Sequence, residues 1–326
     1  MSQPGWSWPG VGNDKVTEFL ERAYSSGQVA QAYVFVGLDD LGKSTIALAF
    51  ARNLQGQPEG FNSDLHILEP ETGKKSISIE ATRDFIKMLN LSSFLNSYKI
   101  GIIKEADLLS EEAKSALLKT LEEPKDKVII ILLVSDESKL PATILSRSQI
   151  VYFYPVPAAV IYDYLIDNYG ANRSLAKDLA NLALGRPLLA LKLLEHPEEY
   201  KDYLDRAGKW LTVVSSDHNS RLRILDELFA DKTWSKQAVE AATNLLFMAE
   251  SLARDLLLLH LGLPERLQNS ALLPSLEKTL AVLDETKEQD SALIILRQLK
   301  LIAQAKEYLA ANVNPRLILE QVVINY

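Results

Sequence analysis

The segment Gly37-Leu38-Asp39-Asp40-Leu41-Gly42-Lys43-Ser44 matches the pattern G-x-x-x-x-G-K-[ST] without a departure, and its setting narrows the fold as much as its letters do. Residues 31–37 (QAYVFVG) form a short apolar run closed by glycine, which reads as a buried strand. Residues 44–54 follow with Ile46, Leu48, Ala49 and Phe50 at helical spacing. A glycine-bearing turn from a strand into a helix N-terminus gathers backbone N–H groups where phosphate oxygens can meet them. Gly37 and Gly42 permit the turn, Lys43 carries a point charge toward the outer phosphates, and Ser44 offers a hydroxyl to magnesium. With Thr45, the next residue of the helix, these are the expected nucleotide contacts. Asp39 and Asp40 weaken such a site unless they face solvent, because they repel phosphate.

Two further apolar runs have strand length, KIGII at 99–103 and VIIILLV at 128–134. Runs that do not alternate suit central parallel strands covered on both faces. Between them, residues 110–122 place Ala113, Ala116, Leu117 and Leu121 on one helical side, and Glu123-Pro124 is expected to stop the helix. Strands alternating with helices predict an α/β parallel sheet with right-handed crossovers. The character changes near Tyr154-Pro155-Val156-Pro157. Short helices are expected at 158–169 and 174–184, and Arg186-Pro187 opens another through Glu195. Long amphipathic stretches follow at 244–261, 273–283 and 291–311, broken at Gly262-Leu263-Pro264 and Asp284-Glu285. No strand is expected beyond the change until the last few residues. The chain therefore divides into a nucleotide-binding part (1–155), a small helical part (156–200) and a helical bundle (201–326).

At 326 residues the chain exceeds one ordinary domain, and a 47% hydrophobic fraction can supply more than one core. No apolar run approaches the roughly 20 residues that span a bilayer, and the N-terminus lacks a basic start followed by an apolar stretch. A cytoplasmic protein without a membrane partner is expected. There is no cysteine, so disulfides and thiolate metal sites are excluded, and His66 alone cannot hold zinc. A formal charge of −8 argues against coating DNA by bulk electrostatics, while leaving room for a local basic stripe.

Several segments, in order, resemble the clamp-loader family of AAA+ ATPases in bacterial DNA polymerase III. Val11-Gly12 with Val16 and Phe19-Leu20 is similar to the family's opening box near the adenine. Residues 31–37 resemble its His-Ala-Tyr-Leu-Phe-x-Gly strand, with Gln31 for the histidine. Ala116-Leu117-Leu118-Lys119-Thr120-Leu121-Glu122-Glu123-Pro124 is a near-complete copy of the Leu-Leu-Lys-x-Leu-Glu-Glu-Pro signature. Leu140-Pro141-Ala142-Thr143-Ile144-Leu145-Ser146-Arg147-Ser148 looks like Pro-x-Thr-Ile-x-Ser-Arg-Cys, with serine for cysteine. Residues 312–320 resemble the family's collar ending. The likeness is strong over 31–50 and 99–152 and thinner over 55–95 and 200–300. It implies an AAA+ phosphate-loop domain with a parallel sheet, a helical lid and an all-α collar. It also implies ATP or ADP with magnesium, and a five-subunit ring with gamma/tau and delta subunits. Through that ring the chain would act on a sliding clamp and primed DNA.

The same resemblance implies that Arg147 reaches a neighbour's ATP; from the residues alone it reads as a surface salt bridge before the strand at 150–153. Phosphate-loop ATPases end the strand corresponding to 100–103 with Asp-Glu, whereas here it runs into Lys104-Glu105-Ala106-Asp107. Lysine cannot ligate a hard cation. Lys104 either repels magnesium or stands in for its charge, and Asp107 reads as a solvated acidic turn in preference to a substitute ligand. Leu189 stands where motor subunits carry a lid arginine, and Ser135 where the family senses phosphate. No four-cysteine zinc module occupies 55–75, so no structural zinc is expected. These departures, with a chain that ends after the collar, imply a stator that lends its arginine while hydrolysing little. An active motor subunit and a nucleotide-independent structural subunit remain alternatives. Trp6 and Trp8 are expected to staple the N-terminus in preference to meeting an adenine, and His196, His218 and His260 to be structural or surface residues.

Overall fold

The computed structural model describes residues 6, 8–56, 64–71, 76–91, 98–123, 125–229, 235–285 and 290–325. Its contacts resolve into two units, residues 1–169 with 184–189, and residues 170–183 with 190–326.

The first unit runs α1 (Asp14–Ser25), β1 (Ala32–Val36), α2 (Lys43–Gln55), β2 (Leu65–Leu68), α3 (Ile79–Asn90), β3 (Lys99–Ile103), α4 (Glu111–Glu122), β4 (Val128–Val134), α5 (Ala142–Leu145), β5 (Gln149–Tyr152) and α6 (Ala158–Tyr169). The five strands are parallel in the order β2-β3-β4-β1-β5. Every residue of β1, β3 and β4 is buried, which is why their sequences are continuous apolar runs. Alternate residues feed two cores. Val34, Ile130, Leu132 and Ile103 join Leu117 and Phe85 on one face, while Tyr33, Phe35, Ile131 and Leu133 join Leu20 and Phe50 on the other. In the middle of β3, a Cβ on Gly101 would lie 2.5 Å from Phe85 and 2.8 Å from Leu89, so α3 sits directly on the backbone there.

Helix α4 starts where the sequence says it should. Ser110 accepts a hydrogen bond from the Ala113 amide at 3.1 Å, and Glu111 and Glu112 stand in the first turn, where carboxylates favour the helix dipole. The helix ends at Glu122; Pro124, expected to stop it, lies outside the described residues. The tryptophans act as a staple: Trp6 packs 4.9 Å from Tyr24 and 6.0 Å from Phe50, and Trp8 Nε1 donates to Glu21 at 2.5 Å. Strand β2 and helix α3 were not anticipated. β2 has four residues and a half-open face, too little for a periodicity signal.

The second unit gathers α7 (Arg173–Leu182), most of α8 (Pro187–Glu195), α9 (Pro197–Val214), α10 (His218–Leu228), α11 (Lys236–His260), α12 (Leu273–Glu285), α13 (Ser291–Ala310) and α14 (Pro315–Ile324). Leu245, Leu246, Ala249 and Leu252 of α11 form the middle of its core, with Trp210, Ile302 and Leu319 packed among them. The strand expected in the last few residues is corrected to a helix. Asn314 caps α14, Pro315 occupies its first turn, and Ile318, Leu319, Val322 and Val323 are buried at helical spacing. Burial on one face overrides the β preference of valine and isoleucine. Among the described residues, no helix is long and apolar enough to cross a membrane.

Candidate nucleotide site

The site begins where β1 leaves the sheet. Gly37 has φ 155° and a Cβ there would lie 2.7 Å from the Phe153 carbonyl oxygen, so no other residue fits. Gly42 sits at φ 94°, in the left-handed region, as the residue before α2. Between them Asp40 takes φ 62°, a conformation aspartate tolerates, and its carbonyl accepts from the Leu188 amide at 3.1 Å. Asn13 ties the loop down from the side: its amide nitrogen donates to the Leu41 carbonyl at 3.4 Å, and its oxygen accepts from the Tyr154 amide at 3.0 Å.

Lys43 is 8% exposed, and its ammonium donates to the carbonyl oxygens of Gly37 and, at 3.1 Å, Leu38. Asp39 Oδ1 lies 3.7 Å away, with its own side chain 83% exposed. Burial pushes the Lys43 pKa down, and Asp39, Asp107 and Asp40 pull it back up. Asp39 therefore faces solvent, the condition under which it is compatible with a phosphate ligand.

A cavity of about 270 Å³ opens beside the loop, lined among others by Gly42, Lys43, Ser44, Lys104, Asp107 and Ser135. Three of the five expected contacts thus meet there. Gly37 shapes the loop, and half-buried Thr45 follows Ser44 in the first turn of α2 without lining the cavity. Leu188 lines the cavity from the start of α8, and Leu189 beside it is half-buried.

Lys104 stands at the end of β3, its amide bonded to the Leu68 carbonyl at 2.8 Å and its ammonium 2.8 Å from Glu69 Oε2. Glu105 follows at φ 48°. The reading of Asp107 as a solvated turn is corrected. Its side chain is 8% exposed, and Oδ2 accepts from Ser135 Oγ and from the Lys139 ammonium, both at 3.0 Å. A short turn at Ala106–Leu108 tucks the carboxylate over the end of β4, where Ser135 emerges. Lys139 was not singled out from the sequence. It is 32 residues from Asp107, and pairing of β3 with β4 is what joins them.

Magnesium does not fit these residues. Its usual carboxylate position is Lys104, Asp107 in the cavity wall is engaged by a lysine and a hydroxyl, and the described residues hold no cluster of three or more His, Cys, Asp or Glu able to bind a metal.

Arg147 lies outside the cavity lining, on the turn between α5 and β5. Its side chain is 39% exposed; Nη2 is 3.0 Å from Glu122 Oε1, and Nη1 donates to the Thr143 carbonyl at 3.1 Å. The residues resembling the adenine box, Gly12, Val16 and Phe19, line a separate groove of about 790 Å³ beside β5.

A phosphate loop leaving the interior strand β1 of a parallel 2-3-4-1-5 sheet is the AAA+ type of fold. The family described as "DNA polymerase III, delta subunit" matches residues 12–157. The chain is 24% identical to DNA polymerase III subunit delta-prime of Bacillus subtilis (strain 168), over 95% of this chain and 94% of that one. Identity to the Escherichia coli (strain K12) delta-prime subunit is 28%, over 55% of this chain and 58% of that one. A gamma-subunit-related DNA polymerase III protein of Thermotoga maritima superposes with a TM-score of 0.50 at 20% identity, covering 93% of this chain and 97% of that one, which shows the fold alone. These comparisons support a clamp-loader subunit of the DNA polymerase III delta-prime type.

Proposed function

We propose that this chain is the stator of a bacterial clamp loader. It joins gamma/tau and delta subunits in a hetero-pentameric ring, helps ATP-driven loading of the sliding clamp onto primed DNA, and presents Arg147 to the ATP site of the adjacent subunit. In this reading residues 1–155 bind nucleotide, 156–200 form the lid, and 201–326 form the collar that holds the ring.

The observation that supports it most is the placement of Arg147. The guanidinium stands on a surface turn, away from the chain's own phosphate loop, held by one exposed carboxylate. A cation so placed does nothing for its own cavity and is available to another protomer's. A guanidinium at the developing charge of phosphoryl transfer is worth about 10³–10⁵ in rate. The chain's own cavity takes ATP or ADP through Lys43 and the loop amides but turns it over weakly or not at all, because the carboxylate pair that manages magnesium and water is incomplete.

The test is reconstitution with motor and delta subunits, followed by ATPase and clamp-loading assays on primed DNA. Stable co-assembly and a DNA-stimulated rate that needs this chain are expected. Failure to co-purify would remove the assembly role, and turnover by the isolated chain would favour a motor subunit instead.

A further inference from the structure

We infer that the phosphate-loop cavity binds adenine nucleotide without a divalent cation, and that Lys104 supplies the compensating charge at the phosphates. The inference rests on the reading of this cavity as a nucleotide site.

The argument starts from the carboxylates. Asp107 is nearly enclosed, and its Oδ2 already accepts from both Ser135 and Lys139. To ligate a metal it would have to give up an ion pair in a partly desolvated place, which leaves Lys139 and Ser135 without their acceptor. Glu69 does not line the cavity and holds Lys104. Asp39, Asp40 and Glu105 also line the cavity; Asp39 is turned to solvent beside Lys43, and Asp40 and Glu105 both take left-handed backbone conformations. Among the described residues, no group of three or more His, Cys, Asp or Glu assembles the several oxygens that a hard cation demands.

The lysine then completes the picture. Its backbone is fixed by the Leu68 carbonyl, so the side chain leaves the sheet at the cavity wall, where Lys43 and Ser44 also stand. An ammonium at that wall repels a second cation and attracts a phosphate. Its pair with Glu69 is partly exposed on both sides, a kind of interaction that contributes little and exchanges readily. The flexible four-carbon stem lets the ammonium trade that carboxylate for a phosphate oxygen without moving the strand. Three cations line or adjoin the cavity, and Lys139 is held by Asp107 while Lys43 belongs to the loop. Lys104 lines the cavity and is paired with Glu69, which does not.

The test is calorimetric titration of the full chain with ADP, once with magnesium and once with EDTA. The two dissociation constants are expected to agree within about threefold, a difference of well under one decade. In EDTA, Lys104→Gln should weaken binding by about tenfold, the scale of one charge-assisted hydrogen bond, and Lys104→Arg should retain it. Glu69→Gln, which releases the ammonium, should tighten binding, a gain that no misfolded variant could mimic. Lys43→Ala should abolish binding in both buffers and marks the site. If the wild type binds ADP in magnesium and not in EDTA, the inference is overturned while the nucleotide site stands. If it binds in neither, both fall. Equal binding by wild type and Lys104→Gln would remove Lys104 from the site.

Discussion

Arg147 and Glu122 form a salt bridge, Nη2 to Oε1 at 3.0 Å, that ties the turn before β5 to the last residue of α4. Glu122 lies in the segment whose resemblance to the clamp-loader family is most specific and Arg147 in the segment that resembles its Ser-Arg-Cys motif, and the fold brings them together across 25 positions of chain. In the free chain the bridge parks the guanidinium. Because both side chains are substantially exposed, the pair contributes at most about 1 kcal/mol, little enough for a triphosphate to displace. Glu122→Gln should therefore shift the thermal midpoint by no more than a few degrees and leave DNA-stimulated ATPase of the assembly at least at the wild-type level. A large loss of ATPase with this variant would mean that Glu122 itself works at the interface.

Arg147→Ala carries the complementary prediction. The side chain makes one exposed ion pair and hydrogen bonds to Thr143 and Ser146, so folding and ring assembly should be preserved. Under the proposed role, turnover at the neighbouring ATP site should fall by about 10³-fold or more, read as a sharp drop in DNA-stimulated ATPase of the reconstituted loader. A wild-type rate from that assembly would take the arginine out of the mechanism.

Lys104→Asp reverses the charge at the cavity wall and restores the magnesium carboxylate beside Ser44. Nucleotide affinity should then rise with magnesium, where the wild type is expected to be indifferent to it. The change also leaves Glu69 without its cation, which is tolerable because that carboxylate is exposed. Titrations with and without magnesium on both proteins decide it; equal magnesium dependence would show the position to be irrelevant.

The legible parts of this fold are those where burial is two-sided or the motif is local. β1, β3 and β4 announce themselves because both their faces are covered, and the phosphate loop because its glycines and lysine are contiguous. The C-terminal residues misled because Val322, Val323 and Ile324 carry β propensity, while burial of Ile318, Leu319, Val322 and Val323 follows a helical face. Asp107 misled for a different reason. Ser135 and Lys139, the groups that bury it, lie 28 and 32 residues away, and only the pairing of neighbouring strands brings them within 3.0 Å.

That arrangement makes Asp107→Asn a test of the site's architecture. The amide keeps an acceptor for Ser135 but loses the charge that holds Lys139 beside a nearly enclosed group. A stability loss of about 1–3 kcal/mol is expected, seen as a lower denaturation midpoint. An unchanged midpoint would mean that the pair with Lys139 is a surface ornament.

The helical unit has its own buried carboxylate, and it offers a prediction independent of nucleotide. Asp255 of α11 is fully enclosed and accepts from the Gln268 amide at 3.0 Å, the Asn269 amide at 2.7 Å and Asn269 Nδ2 at 2.8 Å. Tyr203 closes the network by donating to Asn269 Oδ1 at 2.6 Å. The carboxylate therefore fixes the bend between α11 and α12 by taking up backbone donors that have no helical partner. Asp255→Ala strands two buried amides, each worth about 1–3 kcal/mol, so the unit should lose about 3–5 kcal/mol. Asp255→Asn, which keeps one acceptor, should lose less. Hydrogen exchange localises the effect: the Gln268 and Asn269 amides should exchange much faster in Asp255→Ala, while those of β1 and β4 keep their protection. Unchanged exchange at those two amides would show that the bend is held by apolar packing and not by the carboxylate.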